Sequence, residues 1–212
     1  MRVLVTGANG YIGKRLIPLL LEGGHEVYCL VREKKRFPPL VPPEFLIEAD
    51  LLDPASLKKI PSEIDAAYYL VHSMSSSSKK FYELEEASAR HFAARLAETQ
   101  AQQIIYLSGL SHEQELSRHL ASRKNVERVL REGSVPVTVL KAGIIIGSGS
   151  ASFEIIRDLV EKLPFMVAPR WLNQKTQPIA VHDVLHYLTL VLGHLACRNR
   201  TFEIGGPDLF TY

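Results

Sequence analysis

Glycines stand at positions 7, 10 and 13 of the stretch TGANGYIG (residues 6–13), directly behind the branched apolar run VLV. Each meets a separate need of a strand-to-helix turn that approaches an anion. Gly7 can take backbone angles closed to other residues, Gly10 lacks a side chain where a diphosphate comes close, and Gly13 lets the helix pack against the strand. The helix that follows aims its unpaired N–H groups and positive dipole end at the same point. Thr6, Gly7, Asn9, Gly10, Tyr11, Ile12 and Gly13 are therefore the candidate cradle for the phosphates of a dinucleotide. The spacing G-x-x-G-x-x-G is not the commoner G-x-G-x-x-G, so its place between a strand and a helix carries the reading as much as the glycines do. A second signal sits at the end of the next strand. Where a carboxylate would accept bonds from the adenosine ribose of NAD, this sequence has Arg32, followed by Lys34, Lys35 and Arg36. A guanidinium there pairs with a 2′-phosphate, which favours NADP(H) over NAD(H). Lys34, Lys35 and Arg36 suit a solvated basic turn, leaving Arg32 as the expected contact.

Two other spacings carry less. His182 and His186 form H-D-V-L-H, the i,i+4 spacing of zinc-protease helices with Asp for Glu, but no third ligand accompanies them and no metal site is expected. No G-x-S-x-G elbow occurs, and GSGS (147–150) reads as a loop.

The elements that must position these residues are short β-branched runs alternating with stretches of helical period. The runs are VLVT (3–6), EVYCLV (26–31), FLIEA (45–49), AAYYLV (66–71), IIYLS (104–108), VTVLKA (137–142) and TFEI (201–204). Strand then helix, repeated, predicts crossover units and an α/β doubly wound parallel sheet of seven strands with helices on both faces. Several runs are apolar at consecutive positions, as in strands covered on both sides. Phe81, Leu84, Ala87, Phe92 and Leu96 form a stripe that predicts a long covering helix between Phe81 and Gln102. Pro18 falls inside the first helix, where the lost backbone bond predicts a kink near Lys14. The segments FPPLVPPEF (37–45) and SMSSSSKK (73–80) read as loops.

The 212 residues are 46% hydrophobic and carry 25 basic against 23 acidic side chains. That balance gives no basic surface for nucleic acid or an anionic membrane, and points instead to a small-molecule ligand. Cys29 and Cys197 are far apart with no C-x-x-C, which argues against a disulfide framework and fits a reducing cytosol. With the first strand starting at Arg2 and no membrane-length apolar run, a single soluble, unprocessed, cytoplasmic domain over 1–212 is expected. Oligomeric state is not legible.

Taken together, TGANGYIG (6–13), VR (31–32), ADLLDPASL (49–57), YYLVHSM (68–74), IIYLSGL (104–110), VLKAGIIIGSG (139–149), PIAVHDV (178–184) and FEIGGPDLFTY (202–212) resemble the short-chain dehydrogenase/reductase superfamily, in its extended and atypical branches. The resemblance implies that Asp50 and Leu51 border the adenine. It implies that Leu70, Val71 and His72 pass beside the middle of the cofactor, and that Ala142, Gly143 and Ile144 approach the nicotinamide amide. It also implies that Asp183 caps a helix and that residues 147–180 contribute a substrate side, where Phe153, Phe165, Met166 and Trp171 either line the pocket or belong to the core. The chain stops where the resembled proteins enter another helix, so a truncated C-terminal part is expected.

Enzymes of this superfamily use a serine on strand five and a helical Tyr-x-x-x-Lys, whose i,i+4 spacing lets the ammonium lower the tyrosine pKa and hold the ribose. Ser108 matches the serine. The helix reads SRHLASRKNVERVL, with His119 and Arg123 where Tyr and Lys would stand. No tyrosine lies between Ser108 and Val139, and the nearest, Tyr106, is on the strand with its side chain on the side of Ser108. Arginine does not deprotonate but can hold ribose hydroxyls. Histidine, with an ordinary pKa of about 6.5, can donate a proton. Two readings stay open. One is turnover of oxidoreductase or epimerase type on a small carbonyl, quinone or sugar-like compound, with Ser108, His119 and Arg123 as the catalytic set. The other is a non-catalytic NADP(H) sensor or assembly module, the departure being one that also marks an atypical bacterial subgroup.

Overall fold

The computed structural model describes residues 1–71, 79–110, 118–150, 153, 154, 157, 158, 161 and 175–211. Its core is a seven-stranded, all-parallel sheet formed by β1 (Arg2–Thr6), β2 (Glu26–Val31), β3 (Leu46–Glu48), β4 (Ala66–Tyr69), β5 (Ile104–Gly109), β6 (Val137–Ala142) and β10 (Thr201–Ile204). The order across the sheet is β10-β6-β5-β4-β1-β2-β3. Every neighbouring pair is parallel. The helices are α1 (Tyr11–Glu22), α2 (Pro54–Leu57), α3 (Lys79–Ala97), α4 (Arg118–Arg131) and α5 (Val181–Leu190). Two short ribbons, β7 (Ile145–Ile146) with β9 (Ile179–Ala180) and β8 (Lys175–Thr176) with β11 (Phe210–Thr211), complete the described strands. This is the doubly wound Rossmann-type architecture that the alternating runs predict.

The reason lies in which residues each face buries. Side chains alternate along a strand. Leu4, Ala67, Tyr69, Ile104, Tyr106 and Val139 pack on one side against Phe92 and Leu96 of α3 and Val126 and Leu130 of α4. Val3, Val5, Cys29, Tyr68, Ile105 and Leu140 pack on the other against Leu16, Ile17 and Leu20 of α1 and Leu188 of α5. Both faces are covered, which is why consecutive strand positions are apolar. α1 runs from Tyr11 to Glu22 as one helix with Pro18 inside it. The expectation for Asp183 is corrected: Ala180 occupies the N-cap of α5 without a side-chain bond, and Asp183 stands in the first turn.

Gln103, just before β5, is buried and joins three segments. Its amide donates to Thr138 Oγ1 at 2.8 Å and to the Val191 carbonyl at 2.9 Å, while its Oε1 accepts from the Gly193 N–H at 2.8 Å. No helix among the described residues is long and apolar enough to cross a membrane. Both cysteines are free thiols, and burial pushes that of Cys29 up to about 12.

Two outcomes follow from this packing. Gln103→Leu leaves the Gly193 N–H without its partner, while the Val191 carbonyl keeps the His194 N–H, so urea unfolding is expected to show a loss of about 1–3 kcal/mol; an unchanged midpoint contradicts this role. A thiol reagent at pH 8 is expected to leave Cys29 unmodified in the native protein and to reach it only after denaturant is added.

Candidate functional site

β1 is the point at which the strand order reverses, with β2 on one side and β4 on the other, and in open sheets of this kind a crevice forms there at the carboxyl ends. The glycine turn occupies that crevice. Gly7 has φ +66°, and a Cβ on it would stand 2.5 Å from the Leu70 carbonyl oxygen. A Cβ on Gly13 would strike the Gly7 carbonyl oxygen and lie 2.8 Å from Ala8 Cα. The Gly10 N–H closes the turn on the Gly7 carbonyl at 2.8 Å, and Gly10 serves as the N-cap of α1 with no side-chain cap and no acidic residue in the first turn. The opening N–H groups of α1 thus have neither a capping side chain nor a first-turn carboxylate, an arrangement suited to an anion. The glycines therefore have distinct physical duties: a left-handed turn, a close backbone contact, and a bare helix tip.

From this corner a cleft of 570 Å³ runs toward the carboxyl end of β2. Gly7, Asn9 and Gly10 line it together with Arg32, Glu33 and Arg36. Asp50, Leu51, Leu70 and Val71 line it too, and α3 contributes Leu84, Glu85 and Ser88. The volume is in the range of small-ligand pockets, about 300–1,000 Å³. Arg32 is exposed, and no ion pair forms on it among the described residues. Arg36 is solvated as the basic-turn reading has it, but it also lines the cleft, which that reading does not include. It pairs with Glu33 at 2.9 Å, and its carbonyl lies 3.4 Å from Asn9 Nδ2, joining the turn at residues 34–36 to the glycine corner.

The wall at residues 50–53 is held by its own short polar side chains. Asp50 Oδ1 accepts from the Leu52 N–H at 2.9 Å, Ser56 Oγ bonds the Asp50 N–H and carbonyl at 3.0 Å, and Asp53 caps α2 through the Ala55 N–H at 3.1 Å. His91 Nδ1 sits 2.9 Å from the Leu51 carbonyl oxygen, so that nitrogen carries its proton and pins the loop to α3.

Other sequence candidates shape the corner rather than line the cleft. Thr6 is fully buried and its Oγ1 donates to the Tyr68 carbonyl at 3.0 Å, tying β1 to β4. Ile12 packs into the core. The Tyr11 ring lies under the Arg15 guanidinium at 3.9 Å, and Arg15 also donates to the Ser148 carbonyl at 2.8 Å. Ala142 is buried, a Cβ on Gly143 would collide with the Gln177 carbonyl, and the Ile144 carbonyl accepts from the Ile179 N–H at 2.9 Å. These three residues stand at the end of β6, apart from the lining of the cleft.

Ser108 lies at the carboxyl end of β5, 4% exposed. It shares a strand face with Tyr106, whose hydroxyl donates to the Arg123 carbonyl at 3.3 Å. Burial holds the Tyr106 hydroxyl far above the ordinary tyrosine range, so it stays neutral. Lys141, the register partner of Ser108 on β6, pairs with Glu127 of α4 at 3.3 Å. His119 belongs to α4 by its backbone. His72, the serine run 75–78, Phe165, Met166 and Trp171 lie outside the described residues. His182 is 90% exposed in its side chain beside Asp183, and no group of three or more His, Cys, Asp or Glu side chains able to hold a metal occurs among the described residues.

A parallel sheet that reverses its order over such a corner defines a dinucleotide-binding protein of the Rossmann type. The sequence model of the NAD dependent epimerase/dehydratase family matches residues 3–205, and the chain belongs to that family. Its structure is similar to that of a UDP-glucose 4-epimerase from Thermus thermophilus in complex with NAD, with a TM-score of 0.75 at 18% identity, covering 100% of this chain and 79% of the other. It is also similar to a short-chain dehydrogenase/reductase superfamily protein from Agrobacterium tumefaciens with bound NAD, with a TM-score of 0.78 at 13% identity and coverage of 100% and 79%. In sequence it is 34% identical over 73 residues to an uncharacterized Saccharomyces cerevisiae protein, a match spanning 33% of this chain and 24% of that relative's length.

Gly13→Ala pushes the turn off α1 and is expected to weaken pyridine dinucleotide binding by at least about tenfold, with the far-ultraviolet circular dichroism unchanged. Binding at the level of the unsubstituted protein, measured by fluorescence titration, contradicts the close-contact role of this glycine.

Proposed function

We propose that the cleft takes NADP(H) and that the chain carries out hydride-transfer chemistry of oxidoreductase or epimerase type on a small carbonyl, quinone or sugar-like compound. The observation that supports the choice of cofactor is Arg32, exposed and without an ion-pair partner among the described residues, in the lining of the same cleft as the glycine corner. The three positions where a Cβ would meet backbone, and the uncapped tip of α1, fit a diphosphate. A guanidinium fits a 2′-phosphate through paired N–H donors and leaves the free 2′-hydroxyl of NAD without an acceptor. Arg36 adds a second cation at the same rim, shared with Glu33.

When bound, the cofactor supplies or accepts hydride. In this reading the remaining work falls to the chain. Gly7, Gly10 and the opening N–H groups of α1 hold the diphosphate, with Asn9 bracing the turn. Asp50 and Leu51 border the adenine. Leu70, Val71 and His72 flank the middle of the dinucleotide, while Ala142, Gly143 and Ile144 stand on the nicotinamide side. Ser108 orients the reacting oxygen, Arg123 holds ribose hydroxyls, and His119 donates the proton. Residues 147–180 form the substrate side of a single domain, and free Cys29 and Cys197 suit a reducing cytoplasm.

A second reading, a non-catalytic NADP(H) sensor or assembly module, is favoured by one specific feature. α4 carries no tyrosine. NADPH oxidation against a panel of aldehydes and quinones separates the two. Turnover abolished in Ser108→Ala and in His119→Phe supports the enzyme, whereas tight binding with no turnover and a preference for one redox form supports the sensor.

Arg32→Asp is expected to raise the Kd for NADPH by about 10- to 100-fold while changing that for NADH by no more than about threefold. Equal losses for the two coenzymes contradict the role given to Arg32.

A further inference from the structure

Glu33 stands at the N-cap position of the short turn Lys34–Arg36, yet its side chain makes no cap bond. Glu48, the last residue of β3, does that work from outside: its Oε2 accepts from the Lys34 N–H at 2.9 Å. The Glu33 carboxylate lies instead on the Arg36 guanidinium, Oε2 to Nε at 2.9 Å. Both side chains are open to solvent, Arg36 at 74% and Glu33 at 57%. The backbone closes the turn without them, through the Arg36 N–H on the Glu33 carbonyl at 3.3 Å and the Phe37 N–H on the Lys34 carbonyl at 3.0 Å. The charge on Glu33 therefore acts on Arg36 and is not needed by the fold.

Glu33 and Arg36 line the same cleft as Arg32 and the glycines. Asn9 Nδ2, 3.4 Å from the Arg36 carbonyl, places the backbone of that residue beside the glycine corner. Two guanidiniums thus border one cleft, one of them already occupied by a carboxylate. An exposed ion pair is weak. A phosphate carries more charge than a carboxylate and meets a planar guanidinium through paired N–H donors, so it displaces the carboxylate. Separating the pair nevertheless subtracts from the binding energy of the phosphate. A 2′-hydroxyl is too weak an acceptor to make the exchange.

We propose that Glu33 is a competitor for the 2′-phosphate of NADP(H): it holds Arg36 in the empty chain, yields it when the phosphate arrives, and so keeps the preference for NADPH over NADH below what two guanidiniums would confer. The proposal rests on the reading of the cleft as an NADP(H) site, and it adds Glu33 and Arg36 to Arg32 as residues that set coenzyme specificity. It also gives an unusual sign, since loss of a cleft side chain strengthens binding.

The test is calorimetric titration of the full chain and its variants with NADPH and with NADH. Glu33→Gln keeps the shape and removes the charge. It is expected to tighten NADPH by about 3- to 10-fold and to leave NADH within about twofold, with the circular dichroism spectrum unchanged. Arg36→Gln is expected to weaken NADPH about fivefold and to leave NADH within about twofold. In the Arg36→Gln background Glu33→Gln has no guanidinium to release, so its gain for NADPH should fall to about twofold or less. No tightening of NADPH in Glu33→Gln, equal tightening of both coenzymes, or a full gain without Arg36 overturns the proposal. Those results leave the NADP(H) reading intact where the unsubstituted chain prefers NADPH and Arg32→Asp abolishes the preference. An unsubstituted chain with no preference ends that reading, and the competition with it.

Discussion

The close approach of Gly7 to the Leu70 carbonyl is the constraint on which the rest of the site depends. Two parallel neighbours, β1 and β4, release their chains in different directions at the same height, and the turn leaving β1 must pass the backbone leaving β4 with no side chain between them. A left-handed glycine does this. It throws the chain back over the sheet end, where Gly13 seats α1 against the turn, and the helix then points its bare N-terminus into the gap. Thr6 reinforces the same junction from beneath, its hydroxyl bonded to β4. The glycine corner is therefore a consequence of how two strands separate, and a methyl group at either glycine would displace the turn itself.

Around this corner the walls are made rigid by bonds that cross between elements. Asn9 reaches the turn after β2, His91 reaches the loop before α2, and Arg15 reaches the loop that follows β7. The first two tie parts of the cleft lining to a neighbouring turn and to α3, and the third ties α1 to a loop outside the cleft. The cation distribution has the same character. Arg36 is shared with Glu33, whereas Arg32 makes no ion pair among the described residues, which leaves it available to a ligand phosphate although the whole chain is nearly neutral.

How much of this can be read from residues alone follows from the range of the interactions. The seven sheet strands and the long α3 are legible because hydrophobic period is local, and the doubly covered strands show as unbroken apolar runs. The glycine corner is legible because its spacing is local too. Arg36 is not, because its place on the cleft depends on a short turn that folds it back beside Asn9. Leu84, Glu85 and Ser88 come from α3, across the sheet end, and no pattern in the chain announces that meeting. Ala142, Gly143 and Ile144 are held by Gln177 and Ile179, more than thirty positions away in the chain. The place of Asp183 is illegible to within a few residues because α5 begins after Ala180 with no side-chain cap to mark it. The nearness of Tyr106 to Ser108 follows from strand alternation, whereas its bond to the α4 backbone emerges only from packing.

Capture of a diphosphate by the turn at residues 7–13 is measured most directly by calorimetric titration of the folded protein with NADPH and with NADH. One saturable site per chain, tighter for NADPH, is the expected result. Absence of saturable heat with both nucleotides, on protein whose fold is verified in the same sample, contradicts it.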